Sequence, residues 1–381
     1  MKCTPMLEQI HSLPDLVRQC LPIFWDKART ALSDELCSTI DCFFLTGCGD
    51  SHHAAVASEL AFGDFAGVRA MALTSLAFSR YTVPFVAHPG RAAVIGVSAS
   101  GEVARTIEGL QMAKKRGMTA IAVTGVPTSR MASSADLTLD AAIPPLATAV
   151  ATPGVRSYIA SLLMVCLAAM RVGEARGSLG QGEAVCAYRE LEQLPEWMAS
   201  TLSANETVVK HVAERWSDAT EFVFVGAGPN YGTALFSAAK VLEASGDTAV
   251  GQDCEEWTHL QYFARTETTP TFFIDAGGRS HSRTSEAAVA ARTIGRRVAA
   301  VVPEGELEIT SQAEVALAVS GWMREAFSPL LCCLPGMLFA DYRAGIMGES
   351  YFRGFSGGRS AEGGGGISRI RTSDILGDVE P

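Results

Sequence analysis

Short apolar runs alternate with Ala-rich or amphipathic stretches along most of the chain. In the first half, an apolar run (43–46) ends in the small-residue turn "GCGDS" (47–51), and an Ala-rich stretch follows it. A second apolar run ends in "SASGE" (98–102), and "TAIAVTG" (119–125) provides a third. Apolar strands that alternate with helices predict a parallel β-sheet with crossover helices.

The second half of the chain repeats this plan. Residues 221–244 again predict a strand, a glycine turn and a helix, and residues 269–303 repeat the strand, small turn, helix and strand. The repeat predicts two tandem, doubly wound α/β domains of flavodoxin-like type, with ligands at the carboxyl ends of the strands. The predicted segments are an N-terminal helical segment (1–40), a first domain (41–180), a second domain (195–345) and a Gly/Arg-rich C-terminal tail (346–381).

Composition narrows the class of protein. Of the 381 residues, 48% are apolar and 19% are charged, which is typical of a folded globular chain. The net charge of −10 argues against general nucleic-acid binding, because that needs a basic face. The ten cysteines form no CxxC pair and are expected to be buried, reduced thiols.

We also expect a cytoplasmic protein without a membrane segment. The N-terminal stretch lacks the apolar core of a signal peptide. The longest apolar runs, "YIASLLMVCLAAM" (158–170) and "PLLCCLPGMLFA" (329–340), are too short to span a bilayer and predict core helices.

The two small-residue turns are candidate anion sites. Backbone N–H groups at a helix start attract an anion, and the hydroxyls of Ser51, Ser98 and Ser100 add donors. The alternative is purely structural, since every doubly wound sheet needs small residues at such turns. "GAGPNYG" (226–232) approaches the dinucleotide fingerprint, but its last spacing is one residue too long. NAD binding is therefore the weaker hypothesis.

The segment 238–261, "AAKVLEASGDTAVGQDCEEWTHLQ", carries candidate acid–base residues. Lys240 and Glu243 are three residues apart and share one face of a predicted helix, and His259 follows downstream. Proton transfer between carbon atoms needs a carboxylate that takes and returns a proton, with a second group for the oxygen protons. The alternative is a surface ion pair and a structural histidine.

Taken together, these stretches resemble the double SIS (sugar isomerase) domain family, most closely the isomerase half of glucosamine-6-phosphate synthase. "CGDS" (48–51) and "SASGEV" (98–103) stand where the family has its phosphate-binding CGTS and SQSGET stretches, and "VATPG" (150–154) stands for VASTK. The residues that the resemblance implies for substrate and phosphate binding are Cys48, Gly49, Asp50, Ser51, Ser98, Ser100, Gly101, Glu102 and Thr152.

The resemblance also implies catalytic roles. Glu243 would move a proton between C1 and C2 of an enediol intermediate, and Lys240 would lie beside the substrate oxygens. His259 would assist ring opening by reaching in from a neighbouring subunit, so a homodimer with a shared active site is expected. The expected partner is a small sugar phosphate, with no cofactor and no metal.

The sequence departs from the family pattern at several positions. No glutaminase nucleophile is evident, so we do not expect ammonia from glutamine. Asp50 replaces a threonine of the phosphate turn, and Ala99 and Val103 replace polar residues, which weakens the expected phosphate cradle. The family's imine-forming C-terminal lysine has no counterpart, since Lys240 is the last lysine. The tail carries arginines instead, and Arg369 is the candidate anion clamp; a flexible surface tail is the alternative.

Two classes of function follow from this pattern. The first is an aldose–ketose isomerase or amino-sugar-phosphate deaminase that works through an enediol or enediolamine intermediate, without glutaminase activity. The second is a non-catalytic sensor that binds a sugar phosphate. A diverged SIS enzyme with another substrate is a further alternative.

Overall fold

Both β-sheets of the protein are parallel and share one strand order. The computed structural model describes residues 4–146, 151–357, 359 and 371–373. Within these residues the strands form two five-stranded sheets, ordered β2-β1-β3-β4-β5 and β7-β6-β8-β9-β10. The strands are β1 (Cys42–Gly47), β2 (Arg69–Thr74), β3 (Ala92–Val97), β4 (Thr119–Thr124), β5 (Leu137–Asp140), β6 (Glu221–Gly226), β7 (Thr248–Asp253), β8 (Pro270–Ile274), β9 (Arg297–Pro303) and β10 (Val315–Val319).

This topology confirms the predicted fold class. Every strand pair is parallel, and the second sheet repeats the order of the first. The order 2-1-3-4-5 is that of flavodoxin-like sheets. All six residues of β3 are buried, and β1, β4, β6 and β8 are buried along nearly their whole length. Parallel strands covered by helices on both faces need such continuous apolar runs. The strands could therefore be predicted from the apolar runs in the sequence.

Helices connect successive strands in both halves. They are α1 (Pro5–His11), α2 (Leu13–Ala31), α3 (Asp34–Thr39), α4 (Asp50–Ala61), α5 (Ser75–Ala77), α6 (Ala104–Lys115), α7 (Arg130–Ser134), α8 (Arg156–Arg176), α9 (Gln181–Arg215), α10 (Pro229–Ala244), α11 (Cys254–His259), α12 (His281–Thr293), α13 (Pro329–Cys332) and α14 (Leu334–Met347). Short 3-10 and π turns lie between them, for example at Phe78–Thr82 and Gln261–Phe263.

Each sheet is the centre of a compact unit built from several stretches of chain. The first-sheet unit comprises Leu16–Pro145, Arg156–Glu192 and the segment from Phe355 onward. The second-sheet unit comprises the N-terminus to Asp15, Leu146–Val155 and Gln193–Gly354. Residues of the predicted N-terminal segment thus belong to both units, because α1 packs against α14 while α2 carries contacts to the end of β5.

Aromatic side chains fill the core of each unit. In the first-sheet unit, Phe43 packs against Phe62 with ring centroids 4.9 Å apart. In the second-sheet unit, Phe224 stacks on Phe272 at 4.6 Å, and Phe339 of α14 closes on both rings. Aromatic pairs at such distances add to the free energy gained from burying their surface. They join the helices to the sheets that position the turns.

Two apolar segments are core elements of these units. Arg156–Arg176 and Glu325–Met347 are long and apolar enough to cross a membrane by length and composition alone, so the expectation that they are too short was wrong. In each, 83% of the most apolar window is buried inside the protein, as in core helices. The described cysteines are free thiols, and most of them are buried in the same cores.

Candidate functional site

The turns after β1 and β3 lie side by side in the first-sheet unit. β1 pairs directly with β3, and the chain leaves these two strands toward opposite edges of the sheet. Open α/β sheets form a crevice for ligands at such a switch point, outside the carboxyl ends of the strands. The two stretches singled out from the sequence therefore share one edge of one sheet.

The first turn opens α4 and places a carboxylate at its start. Gly49 has φ 56° and precedes the helix, which no side chain caps. Asp50 is the first helical residue and is 24% exposed, with Oδ1 3.8 Å from Nδ1 of His53. A negative side chain is favourable at a helix N-terminus, because the end of the helix dipole there is positive. The Asp50 carboxylate therefore already makes the interaction that an anionic ligand would make. The turn as it stands thus favours a hydroxyl, amine or cation over a phosphate dianion.

A chain of buried hydroxyls lies beneath this turn. The Ser75 hydroxyl is 3.0 Å from the Thr106 hydroxyl, and Thr46 donates to a backbone carbonyl of β2 at 2.9 Å. The exposed Cys48 extends the chain, since its Sγ is 4.0 Å from Oγ1 of Thr106. Sequence reasoning missed Ser75 and Thr106, because they come from α5 and α6 and meet only once the sheet has formed.

The second turn uses its own hydroxyls internally. Ser98 Oγ accepts from the Gly101 N–H at 3.1 Å, and Ser100 Oγ accepts from the Glu102 N–H at 3.3 Å. The Glu102 carboxylate accepts from Arg130 Nε at 2.6 Å and from the Arg130 backbone N–H at 3.0 Å. The proposed anion donors of this turn therefore also stabilise its shape, and Arg130 supplies a cation that was not predicted at this position.

We expect Gly101→Ala to destabilise the first-sheet unit. Gly101 has φ 67°, and an added Cβ would lie 2.0 Å from Oγ of Ser129, which caps α7. The free energy of unfolding should fall by about 1–3 kcal/mol in urea denaturation. Gly182→Ala on α9 is the matched control, because a Cβ there meets nothing within 4 Å. Equal stability of the two variants would contradict a tightly packed turn.

Two adjacent histidines follow the first turn on α4. His52 and His53 lie with ring centroids 6.1 Å apart. Burial, and secondarily the neighbouring His53, lowers the pKa of His52 from 6.5 to about 4. His52 is therefore neutral in the fold at physiological pH. Both histidines were visible beside the turn in the sequence, but their burial was not predictable from it.

Acidification should weaken the fold through His52. The unfolded chain takes up a proton near pH 6.5, whereas the folded chain resists protonation down to about pH 4, so stability is lost as pH falls through this window. The loss is at most about 3 kcal/mol. Urea denaturation at pH 7 and pH 4.5 should show a smaller loss for His52→Gln than for the wild-type chain. His211→Gln, at an exposed site, should retain the full loss. An unchanged pH dependence in His52→Gln would disprove this assignment.

Lys240 and Glu243 form an ion pair on α10 in the second-sheet unit. The Lys240 side chain is 0% exposed, and its Nζ donates to Oε2 of Glu243, which is 30% exposed. The ammonium also lies 5.0 Å from the centre of the Phe236 ring. The pair is therefore not the surface pair of the alternative hypothesis. A buried ammonium fixes a carboxylate whose remaining surface is open to solvent.

His259 lies on another element, at the end of α11. Its side chain is 65% exposed, and Nε2 is 3.1 Å from Oε1 of Glu255 on the same helix. Behind it, the buried Trp257 packs against Phe273 at 5.5 Å. Arg296 donates to two backbone carbonyls of the loop that follows α11, both at 2.6 Å. The histidine is thus an exposed side chain on a well-anchored segment.

Thr152 and the arginines of the C-terminal tail are the remaining residues predicted for the site. Thr152 belongs to the second-sheet unit, where its hydroxyl accepts from Gln9 of α1. Arg369 lies outside the described residues. Of the other tail arginines, Arg353 pairs with Glu349, and the carbonyl of Arg371 accepts from the Ala104 N–H at 2.9 Å. In the described part of the chain, no group of three or more His, Cys, Asp or Glu side chains is placed to hold a metal ion.

The turn "GAGPNYG" copies the first turn in its backbone. Gly228 precedes α10 with φ 53° and ψ −129°, against 56° and −130° for Gly49 before α4. The buried Asn230 of this turn donates to the Ser328 hydroxyl at 2.9 Å and accepts from Thr233. Duplication of the α/β unit therefore explains this glycine pattern without a dinucleotide.

Known proteins share this architecture. A family model described as SIS domain matches residues 41–171. The isomerizing glutamine–fructose-6-phosphate aminotransferase of Gloeobacter violaceus is 27% identical over 351 residues, covering 90% of this chain and 56% of its own length. The C-terminal domain of the glucosamine-fructose-6-phosphate aminotransferase from Francisella tularensis superposes with a TM-score of 0.77 at 17% identity, covering 90% of this chain and 96% of that domain.

Glucosamine-6-phosphate deaminase from Thermotoga maritima has the same fold. It superposes with a TM-score of 0.68 at 18% identity, covering 91% of this chain and 96% of the deaminase. The SIS domain model therefore matches residues 41–171, and the chain as a whole shares its fold of two tandem α/β units with these two structures. The chain spans about 56% of the length of the curated aminotransferases that it matches.

Proposed function

We propose that the protein is an enzyme that moves a proton between C1 and C2 of a sugar phosphate or amino-sugar phosphate. The observation that carries the proposal is the Lys240–Glu243 pair, a fully buried ammonium holding a carboxylate that is still 30% exposed. Such a carboxylate has a fixed direction and an accessible oxygen, which is what proton transfer to and from carbon requires. The proposed reaction is aldose–ketose isomerisation or deamination through an enediol or enediolamine.

In this proposal each side chain has a separate task. Glu243 takes the proton from one carbon and returns it to the next. Lys240 keeps that carboxylate in place and contributes positive charge beside the substrate oxygens, where negative charge develops. His259 exchanges protons with the oxygens during ring opening. Its exposure on α11 suits contact with a second subunit, and we propose a homodimer on that ground.

Within the first-sheet unit, the first turn favours a particular group of a sugar. Asp50 and its neighbour His53 occupy the start of α4, where a phosphate dianion would be repelled by the carboxylate. We propose that an amino or hydroxyl group of the sugar faces this turn. The second turn, with Ser98, Ser100, Glu102 and Arg130, then holds the phosphate.

Hydrogen exchange on a panel of sugars tests the proposal. The protein is incubated in D₂O with hexose, pentose and amino-sugar phosphates, and the C1 and C2 protons are followed by NMR. Deuterium should enter C1 or C2 of one sugar, and ammonia release from an amino sugar would distinguish a deaminase from an isomerase. Absence of exchange across the panel would refute an enzyme that uses an enediol of these sugars.

A sensor is the second candidate function. The hydroxyls of Ser98 and Ser100 are engaged within their own turn, and carboxylates stand at both turns, which is a weaker phosphate cradle than catalysis on sugar phosphates would favour. Calorimetric titration with the same panel separates the two cases. Binding of one sugar phosphate without C1/C2 exchange would favour the sensor.

A further inference from the structure

We propose that Glu255, clamped by Arg283, is a positioning residue that holds the His259 ring by Nε2 and leaves Nδ1 as the nitrogen for proton exchange. This inference deepens the proposed function and rests on it for its catalytic part. Glu255 lies one helical turn before His259 on α11, and Oε1 of Glu255 is 3.1 Å from Nε2 of His259. Arg283 reaches Glu255 from the neighbouring helix α12.

The clamp on Glu255 is bidentate. Arg283 donates from Nε to Oε2 at 2.6 Å and from Nη2 to Oε1 at 3.1 Å. Nη2 also donates to the Thr258 hydroxyl at 3.2 Å, and Nη1 donates to Glu286 at 2.9 Å. A planar guanidinium fork that holds both carboxylate oxygens fixes their direction, which a single exposed contact does not. Arg283 therefore orients the Glu255 carboxylate independently of the His259 imidazole.

The start of α11 is also held in place. Asp253 accepts from the N–H groups of Glu255 and Glu256, at 2.8 and 3.3 Å. The next residue along, Trp257, is fully buried. The backbone that carries Glu255 and His259 thus has little freedom, so the usual entropic cost of aligning two exposed side chains is largely absent.

The chemistry of the pair then selects one imidazole tautomer. Hydrogen bonds from Arg283, and secondarily from His259, lower the pKa of Glu255, so this carboxylate is ionised at neutral pH. An ionised carboxylate only accepts hydrogen bonds, so Nε2 of His259 must carry the proton that it donates. In the neutral ring the lone pair is then on Nδ1. The nitrogen that exchanges protons with a substrate oxygen is therefore Nδ1.

Nitrogen NMR tests the structural half of the proposal without any substrate. The full chain is labelled with ¹⁵N-histidine, and His259→Asn identifies the His259 signals. The neutral wild-type ring should be the Nε2–H tautomer. Glu255→Gln should weaken this preference to that of an unpartnered imidazole, because a side-chain amide can either donate to Nε2 or accept from it. Glu286→Gln is the matched control: it removes a carboxylate from Arg283 without touching the imidazole, and it should leave the tautomer unchanged.

Steady-state kinetics tests the catalytic half. On the sugar that exchanges its C1 or C2 proton, Glu255→Gln should lower kcat by about tenfold to a hundredfold, as loss of a supporting hydrogen bond commonly does, and should leave KM nearly unchanged. Glu286→Gln should match the wild-type enzyme. A wild-type ring protonated on Nδ1, or a Glu255→Gln variant with unchanged tautomer or unchanged kcat, would overturn the proposal. Absence of exchange in the wild-type protein refutes the proposed function instead, and the NMR result then stands by itself.

Discussion

Glu243→Gln should reduce C1/C2 proton exchange by about 10²-fold to 10⁴-fold, the range that a positioned general base contributes. The amide keeps the size of the side chain and keeps an oxygen that accepts from Lys240, so the buried ammonium stays hydrogen-bonded. The amide cannot, however, take the proton from one carbon atom, hold it and return it to the next carbon atom. The measurement is deuterium incorporation in D₂O, followed by NMR on the sugar that the wild-type protein exchanges.

Binding and folding controls make this result specific. The variant should bind the sugar with nearly the wild-type affinity by calorimetry, because the amide keeps the size of the side chain and its hydrogen bond with Lys240. Glu214→Gln, at an exposed position of α9, is the matched control and should exchange at the wild-type rate. Thermal unfolding checks that Glu243→Gln is folded. Exchange at the wild-type rate in a folded Glu243→Gln protein would show that another group is the base.

Local sequence patterns predicted much of this molecule. The apolar runs mark the strands because both sheets are covered on both faces, so each strand must be apolar along its length. The turns were predictable because β1 and β6 each end in a glycine at which a Cβ would collide with the following backbone. The contact between Lys240 and Glu243 followed from helical spacing alone. Each of these inferences uses residues within one or two turns of each other.

Contacts between distant stretches of chain were not predictable. Arg130 meets Glu102, Thr106 meets Ser75, and Arg283 meets Glu255 only because the strand order brings their elements together. Burial was equally hidden: Lys240 is fully buried although lysine is among the residues least often buried. These unpredicted partners decide how the site residues behave. Arg130 holds the Glu102 carboxylate of the second turn, and Arg283 holds the carboxylate that contacts His259.

Asp50→Thr should convert the first turn into a better phosphate site. Two unit charges about 4 Å apart repel by about 4 kcal/mol at the effective dielectric constant of a protein surface. Even about a third of that energy corresponds to a tenfold change in affinity, so we expect inorganic phosphate, used as the probe, to bind at least about tenfold more tightly. The start of α4, no longer neutralised by its own carboxylate, then attracts the anion through its backbone N–H groups.

Calorimetry on three variants separates a local effect from a change in net charge. Asp50→Asn removes the charge but keeps the shape, and it should gain phosphate affinity as Asp50→Thr does. Asp64→Asn changes the net charge equally at an exposed position of the same unit, and it should leave the affinity unchanged. An unchanged affinity for inorganic phosphate in both Asp50 variants would contradict repulsion at this turn. The same two variants should bind the sugar phosphate itself more weakly, because the sugar hydroxyl or amine proposed to face this turn loses the carboxylate that accepts its hydrogen bond.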